Sequence, residues 1–319
     1  MTHDERAALR RDVVHRASAL IQRGGQAFAA CRYAEAEVLA RAAITCLGER
    51  APNTAIGCAA ARSLGTVLRV RARYDEAERH LRAAVQWARA SGPVELANSH
   101  NALGMLFKYT GRYTDALRLY RRALETLEAQ FGARDVRLAP ILHNLGGVEH
   151  ARGRFAQGEA HARRGLAVRR RALGRNDVLV AKDEVALGAL LEGQGKLGEA
   201  ARLYHHALGV YEAACGDRRY DVAVTCNNLG SIAYARARVA EAGVWYRRSL
   251  RIKTSLLGDD HPDVAVTRNN LAVLLGSLGR NAAARALYAR ALASFERAYG
   301  PRHRLARACR ENIARLPRR

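Results

Sequence analysis

The chain has 319 residues, of which 49% are hydrophobic and 26% are charged, a balance that excludes an intrinsically disordered protein. Its 53 Lys and Arg residues outnumber its 30 Asp and Glu residues, and the resulting net charge of +23 favours anionic partners. No stretch approaches the ~20 apolar residues that cross a bilayer, and the charged first residues resemble no signal peptide, so we expect a cytoplasmic protein without a membrane partner.

Residues 1–16 are predicted to form a helical N-terminal segment in front of an internal repeat. The repeat is marked by three ladders of residues that share a period of 42 residues and stay in phase. In one ladder, Ala237 stands where the other members are glycine. The ladders are Leu103, Leu145, Leu187, Leu229 and Leu271; Gly132, Gly174, Gly216, Gly258 and Gly300; and Gly111, Gly153, Gly195 and Gly279.

Each repeat is predicted to be a pair of α-helices. Apolar residues recur at spacings of three and four, as in Leu117, Tyr120, Leu124 and Leu127, which is the pattern of an amphipathic helix. The ladder glycines fall just past the helix ends, where a left-handed backbone favours glycine. Small residues such as Gly104 follow the ladder leucines, and larger side chains there would force the two helices apart.

Two stretches of the repeat carry a family resemblance. They read N-N-L-G-S-I-A-Y-A-R-A-R-V-A-E-A-G-V-W-Y-R-R-S-L-R-I-K at 227–253 and N-N-L-A-V-L-L-G-S-L-G-R-N-A-A-A-R-A-L-Y-A-R-A-L at 269–292, and the turn between repeats reads L-G-D-D-H-P-D-V-A at 257–265. The chain resembles a tetratricopeptide repeat protein of the 42-residue type found in kinesin light chains and many bacterial proteins. The resemblance implies an all-α fold: a right-handed α-solenoid of about seven helix pairs over residues 17–300, followed by a capping helix and basic tail at 301–319.

One face of the predicted first helices is polar. At about 100° per residue, the positions concerned fall opposite the packed face. Asparagine is roughly 0.5 kcal/mol less favourable than alanine in a helix, so its recurrence on this face indicates a compensating role. The polar residues of this face are Asn98, Asn101, Lys108, His143, Asn144, His150, Lys182, Asn227, Asn228, Tyr234, Asn269 and Asn270.

The family resemblance implies that the first helices line a concave groove, in which Asn side chains hydrogen-bond the backbone of a bound peptide. Alternatively, these amides bond to the neighbouring repeat and hold the repeats in register, and the sequence leaves both possibilities open. Some relatives clamp a peptide C-terminus with basic residues; Lys182 fits one such position, but Ala186 replaces the arginine. The matching asparagines are Asn144, Asn228 and Asn270 just before the ladder leucine, and Asn101, Asn227 and Asn269 one residue earlier.

The second helices carry a recurring stripe of arginines. Arginines in phase with the repeat are typical of a surface that follows a polyanion such as a nucleic acid, and an ordinary solvated surface is the alternative. Most tyrosines are predicted to pack inside the helix pairs, which leaves few exposed rings for single-strand stacking. The arginines in question are Arg121, Arg122, Arg163, Arg164, Arg247 and Arg248.

The sequence contains no G-x-x-x-x-G-K-[ST], G-x-S-x-G or H-E-x-x-H motif, and its six cysteines form no C-x-x-C pair. The cluster Asp259-Asp260-His261 lies in the turn between repeats and is interpreted as turn and cap chemistry, so we expect neither metal nor cofactor. We predict a non-enzymatic protein-interaction scaffold that binds an extended or helical, acidic peptide segment. Two alternatives stay open: a binder of nucleic acid or another polyanion, and a regulatory or sensor subunit of a multi-protein assembly.

Overall fold

A computed structural model describes residues 3–48, 54–216 and 219–317. Over these ranges the regular structure is helical and contains no strand, which confirms the predicted all-α fold. The chain divides into two compact units, Met1–Arg154 and Phe155–Arg319, here called unit 1 and unit 2. The described part of unit 1 contains a 3-10 turn (Val136–Leu138) and the helices α1 (His3–Ala29), α2 (Tyr33–Leu47), α3 (Ala55–Val70), α4 (Tyr74–Ser91), α5 (Pro93–Tyr109), α6 (Tyr113–Phe131) and α7 (Ala139–Ala151). The described part of unit 2 contains α8 (Phe155–Leu173), α9 (Val178–Gly193), α10 (Leu197–Cys215), α11 (Tyr220–Ala235), α12 (Val239–Leu257), α13 (Pro262–Ser277), α14 (Asn281–Tyr299) and α15 (Arg304–Arg315).

Successive helices pack in pairs, as α5 does against α6 in unit 1 and α9 against α10 in unit 2. The close approach depends on glycine in the first helix, because a fully buried tyrosine ring of the second helix occupies the space beside it. A Cβ atom on Gly104 would lie 2.7 Å from Cε1 of Tyr120, and one on Gly188 would lie 2.5 Å from Cε1 of Tyr204. The structure therefore confirms that a larger side chain after the ladder leucine would force the two helices apart.

Neighbouring pairs stack through their helices within each unit. In unit 1 the first helices α1, α3 and α5 contact one another in succession, and α2 and α4 each contact the first helix that follows them. The ladder leucines Leu103 and Leu145 are buried in the core of unit 1, and Leu187 and Leu229 in that of unit 2. The first helices of a unit therefore lie side by side, and the face they share, here called the first-helix face, is the face on which the helical pattern places the polar residues.

The turns inside the pairs have the predicted left-handed backbone. Gly111 and Gly153 have φ of +77° and +71°. Ala237, which replaces glycine in this ladder, has φ of +58°. A residue with a side chain costs about 1–2 kcal/mol in this region, which explains why glycine dominates the ladder.

The first and last helices of the described chain are α1 and α15. The predicted boundary at residue 16 falls inside α1, which runs through it without a break. The predicted capping helix is α15, and Arg285 of α14 donates from Nη2 to the carbonyl oxygens of Leu316 (2.8 Å) and Pro317 (2.7 Å) just beyond it. Residues 318–319 of the predicted basic tail lie outside the described residues. None of the described helices combines the length and the apolar character that crossing a bilayer requires.

Candidate functional site

The first helices of unit 1 enclose a concave site with a volume of about 430 Å³, here called the N-terminal cavity. Most of its walls come from the first helices α1, α3 and α5, and the second helix α2 adds Ala36 and Ala40. Apolar groups adjoin polar ones, a combination typical of sites that take a side chain together with nearby main-chain groups. The cavity is lined by the apolar Ile21, Phe28, Val67 and Met105 and by the polar Arg62, Ser63, Thr66, Asn98 and Asn101, among others.

Asn101 of α5 and Asn144 of α7 form a direct amide pair. Nδ2 of Asn144 donates to Oδ1 of Asn101 over 2.7 Å, and this bond links two adjacent repeats. An amide carries one acceptor oxygen and two donor hydrogens, so the NH₂ group of Asn101 and the oxygen of Asn144 are not used by the bond. Within the described residues, the side chain of Asn98 makes no hydrogen bond. The pair thus holds the repeats in register and still offers a donor and an acceptor.

Lys108 lies further along α5, beside Gly147 of α7. A Cβ atom on Gly147 would lie 2.7 Å from Nζ of Lys108, so glycine leaves room for the ammonium group. Burial, with the charge of Arg69, lowers the pKa of Lys108, and burial with the charge of Lys108 lowers the pKa of His150. No carboxylate of the described chain pairs with Lys108. A half-buried cation in this state favours the approach of a negatively charged ligand group.

The equivalent asparagines of unit 2 have a different environment. Nδ2 of Asn270 donates to Oδ1 of Asn227 over 3.2 Å, and the hydroxyl of Thr267 donates to the same oxygen over 3.2 Å. Nζ of Lys253 donates to the Thr267 hydroxyl over 3.0 Å. Asn227, Thr267 and Lys253 are all buried, so Asn227 belongs to an internal polar network although the helical pattern places it on the open face.

A third amide pair joins α13 to the capping helix. Nδ2 of Asn312 lies 3.5 Å from Oδ1 of Asn269, to which it donates. Asn312 is absent from the predicted site, although it follows Asn270 by 42 residues and so continues the same ladder. The 42-residue period alone is therefore enough to identify Asn312 as a member of this ladder.

The other predicted residues of this face are not gathered in the N-terminal cavity. Asn228 is half-buried on α11. The hydroxyl of Tyr204, whose pKa burial raises, donates to Oε2 of Glu192 over 3.1 Å. His143 is half-buried on α7, and Lys182 is exposed on α9. These side chains lie at the predicted register without forming one site.

Part of the arginine stripe on the second helices is engaged in internal ion pairs. Nε of Arg163 donates to Glu159 over 2.7 Å, and its Nη2 donates to Glu199 over 2.8 Å. Nη2 of Arg248 donates to Glu212 over 2.5 Å. Three of the chain's acidic residues, Glu159, Glu199 and Glu212, thus neutralise arginines of the stripe.

The rest of the stripe is more accessible. Arg121, Arg122 and Arg247 are exposed and form no ion pair with any described residue, whereas Arg164 is half-buried and has a partner. The stripe is consequently not a continuous row of available cations. Binding of a nucleic acid along it stays a prediction.

The acidic turn at 259–261 has the structural role that the sequence suggested. Nδ1 of His261 accepts from the backbone N–H of Asp263 over 3.1 Å, which caps α13. Asp259 pairs with Arg268 and Arg290. Among the described residues, no group of three His, Cys, Asp or Glu side chains is placed to hold a metal ion.

Sequence reasoning missed the walls of the cavity that α1 and α3 supply. The first repeat has Arg23 where the leucine ladder would continue, so the register of Phe28 is not evident from the repeat. Arg62 of α3 binds Oε2 of Glu95 through Nη1 over 2.6 Å, which is a contact between helices that no motif announces. These walls are formed by packing and are visible only in the fold.

Comparison with known proteins identifies the repeat. The tetratricopeptide repeat family model matches residues 57–129, 137–213 and 221–297. Among solved structures, BtubC (BKLC) from P. vanneervenii is similar with a TM-score of 0.56 and 23% identity, over 72% of this chain and 91% of that one. A putative kinesin light chain from Podosopora anserina with nearly identical TPR-like repeats gives a TM-score of 0.53 and 16% identity, over 65% and 98%.

A third similar structure is pilF of Pseudomonas aeruginosa, with a TM-score of 0.50 and 17% identity over 80% of this chain and 99% of that one. A search of curated proteins finds no significant match to the chain. At these identities, the similarity to solved structures shows a shared fold.

Proposed function

Because the chain belongs to the tetratricopeptide repeat family, and is thus a protein-interaction scaffold in general terms, we propose that its N-terminal cavity binds an extended, acidic segment of a partner protein. The observation that carries the proposal is that Asn98 and Asn101 line a cavity that also has apolar walls. An extended segment presents alternating side chains and main-chain amide groups, and the cavity offers a complement to each.

The polar side of the cavity suits a peptide backbone. The NH₂ group of Asn101 is available to donate to a peptide carbonyl, and the amide of Asn98 can both donate and accept. The bond from Asn144 fixes the Asn101 amide before a ligand arrives, so little side-chain entropy is lost on binding. The apolar part, with Phe28 and Met105, would take one hydrophobic side chain of the segment.

The preference for an acidic segment rests on Lys108. Its ammonium group is half-buried, has no carboxylate partner within the described residues, and has a pKa lowered by burial. Pairing with a ligand carboxylate would compensate that loss of hydration. Lys108 follows Asn101 by seven residues on α5 and lies outside the cavity lining, so it would meet a part of the segment that extends beyond the cavity. Arg62, which does line the cavity, is already paired with Glu95.

The experiment selects peptides from a random dodecapeptide library displayed on phage and measures the affinity of the selected, fluorescein-labelled peptides by anisotropy. Asn101→Ala and Lys108→Ala are expected to weaken binding by about tenfold each, with an unchanged far-UV circular dichroism spectrum. Selected sequences should be enriched in Asp and Glu.

Matched controls exist in unit 2. Asn269→Ala removes an asparagine at the same register, one that also accepts from a neighbouring amide, and Lys182→Ala removes an exposed lysine. Both should change the affinity by less than about twofold. Equal weakening by Asn101→Ala and Asn269→Ala, or failure of the library to yield any binder, would refute the cavity as the peptide site.

A further inference from the structure

Three second helices of this chain, α2, α4 and α8, use a glutamate at their fifth residue to bind the repeat that follows. In each case the partner is the basic residue just before the next second helix, and the donor–acceptor distances lie between 2.7 and 3.0 Å. Lys196 holds the pKa of its partner, Glu159, at about 2, as expected for a carboxylate bound by a cation. The pairs are Glu37 with Arg73, Glu78 with Arg112, and Glu159 with Lys196.

Helix α6 has Leu117 as its fifth residue, so the basic residue that precedes the next second helix, Arg154, faces no glutamate at this position. Helices α10 and α12 also lack the glutamate and have Ala201 and Gly243 there. Arg154 is exposed and makes no ion pair with any residue in the described ranges. The protein thus keeps the cation of the pair and lacks the carboxylate.

Leu117 and Arg154 lie in a concave site of about 470 Å³ on unit 1, whose other lining residues are mostly arginines. Two of these have internal partners, because Arg118 binds Asp115 and Arg152 binds Glu149. Glu125 is the one carboxylate among the lining residues, and it forms no ion pair within the described part of the chain. The five arginines, here called the arginine site, are Arg118, Arg121, Arg122, Arg152 and Arg154.

The geometry points to the arginine site as a second binding site, which docks an acidic segment of a partner protein so that a ligand carboxylate takes the position held by Glu37, Glu78 and Glu159 elsewhere. Planar guanidinium groups bind carboxylates in a bidentate manner, and three of the five, those of Arg121, Arg122 and Arg154, form no ion pair with any residue that the structure describes. The site shares no lining residue with the N-terminal cavity.

The lining favours a protein segment over a nucleic acid. It contains no aromatic ring among its residues, so it has no platform on which the bases of a single strand could stack. The chain's own contacts at the equivalent positions are with carboxylates. The acidic residues of a protein segment reproduce that chemistry directly.

Unit 2 offers a matched control. Arg247 and Arg280 occupy the positions of Arg121 and Arg154 three repeats later, but Val244 and Leu278 stand in place of Arg118 and Arg152. Arg121→Ala with Arg154→Ala and Arg247→Ala with Arg280→Ala therefore remove the same charge at the same register. Only the first double variant changes the arginine site.

The test measures binding of a fluorescein-labelled peptide of about ten glutamates, and separately of an oligodeoxynucleotide of about fifteen thymidines, at about 0.15 M salt. We expect the peptide to bind and the Arg121→Ala/Arg154→Ala variant to weaken it at least about tenfold, against less than about twofold for the control variant. Absence of peptide binding, or equal weakening by the two variants, refutes the site. Tighter binding of the oligonucleotide with the same dependence on Arg121 and Arg154 refutes the assignment to a protein segment.

A second variant tests the internal comparison. Leu117→Glu introduces the glutamate that α2, α4 and α8 carry at this position, and Glu37 shows that a carboxylate is tolerated there when only 6% of the residue is exposed. The new glutamate should pair with Arg154 and weaken glutamate-peptide binding by at least about tenfold. Peptide binding that is unchanged in a folded Leu117→Glu protein would contradict the proposed position of the ligand carboxylate.

Discussion

The asparagine pair of α5 and α7 and that of α11 and α13 have the same spacing but different surroundings. In unit 1, Asn101 accepts one hydrogen bond and lines a cavity. In unit 2, Asn227 accepts two and is buried. The same residue at the same place in the repeat is thus an open surface group in one unit and an internal polar group in the other.

The difference comes from two positions of the core. Thr267 and Lys253, which complete the network around Asn227, correspond to Ile141 and Leu127 three repeats earlier, and both of those residues are buried. Apolar side chains cannot hydrogen-bond to Asn101, so within the described residues its amide is held by Asn144 alone. The core residues next to an asparagine therefore decide whether its amide is free to bind a ligand.

The largest effect expected from this comparison is a loss of stability in acid that originates in α5. His100, next to Asn101, is buried and has a pKa lowered to about 4 by burial and by the charges of Arg122 and Arg89. In the unfolded chain this histidine binds a proton near pH 6.5. The contribution of neutral His100 to stability is therefore fully present above that pH and is lost as the pH falls towards 4. Between about pH 7 and about pH 4.7 the urea-unfolding free energy should fall by about 2–3 kcal/mol, less any part that solvent screens.

A single replacement isolates this contribution. Position 142 of α7, one period after His100, is leucine, so His100→Leu introduces the residue that the next repeat has there. The variant should lose most of the pH dependence above pH ~4.7, where carboxylates are still largely ionised. A variant with the pH profile of the original protein would show that the acid response has another source.

A smaller effect separates the two asparagines themselves. Asn227→Ala should lower the free energy of unfolding by about 1.5 kcal/mol, because it removes the acceptor of a buried hydroxyl and of an amide. Asn101→Ala should lower it by about 0.5 kcal/mol, because solvent can reach the partner amide. Urea unfolding monitored by circular dichroism measures both, and equal losses would contradict the distinction between the two regions.

A gain of stability is expected when the buried polar residues of unit 2 are replaced by the apolar residues that unit 1 has at the same positions. Lys253→Leu together with Thr267→Ile removes a buried ammonium group whose pKa is lowered by burial. Replacement of buried charge by packed apolar groups should raise the unfolding free energy by about 1 kcal/mol. Each single variant serves as a control, and a double variant less stable than the original would show that the polar network stabilises α13.

Much of the fold follows from the period of the sequence. Gly104 and Tyr120 predict a close helix pair because glycine is the residue that leaves room for the ring, and the structure places them in contact. The candidate site is only partly predictable in this way. The helical pattern places Asn98 and Asn101 on the open face, and both line the cavity. The same pattern places Asn227 on that face, but the structure buries it.

The sequence by itself determined the helix pairs, their left-handed turns and the family, because helix periodicity and glycine conformation are local properties that recur with the repeat. Tertiary structure alone decided which amides stay accessible, which arginines have carboxylate partners, and where α1 closes a cavity. Those outcomes depend on contacts between residues about one repeat or more apart, such as Asn101 with Asn144 and Glu78 with Arg112, and no local pattern specifies them.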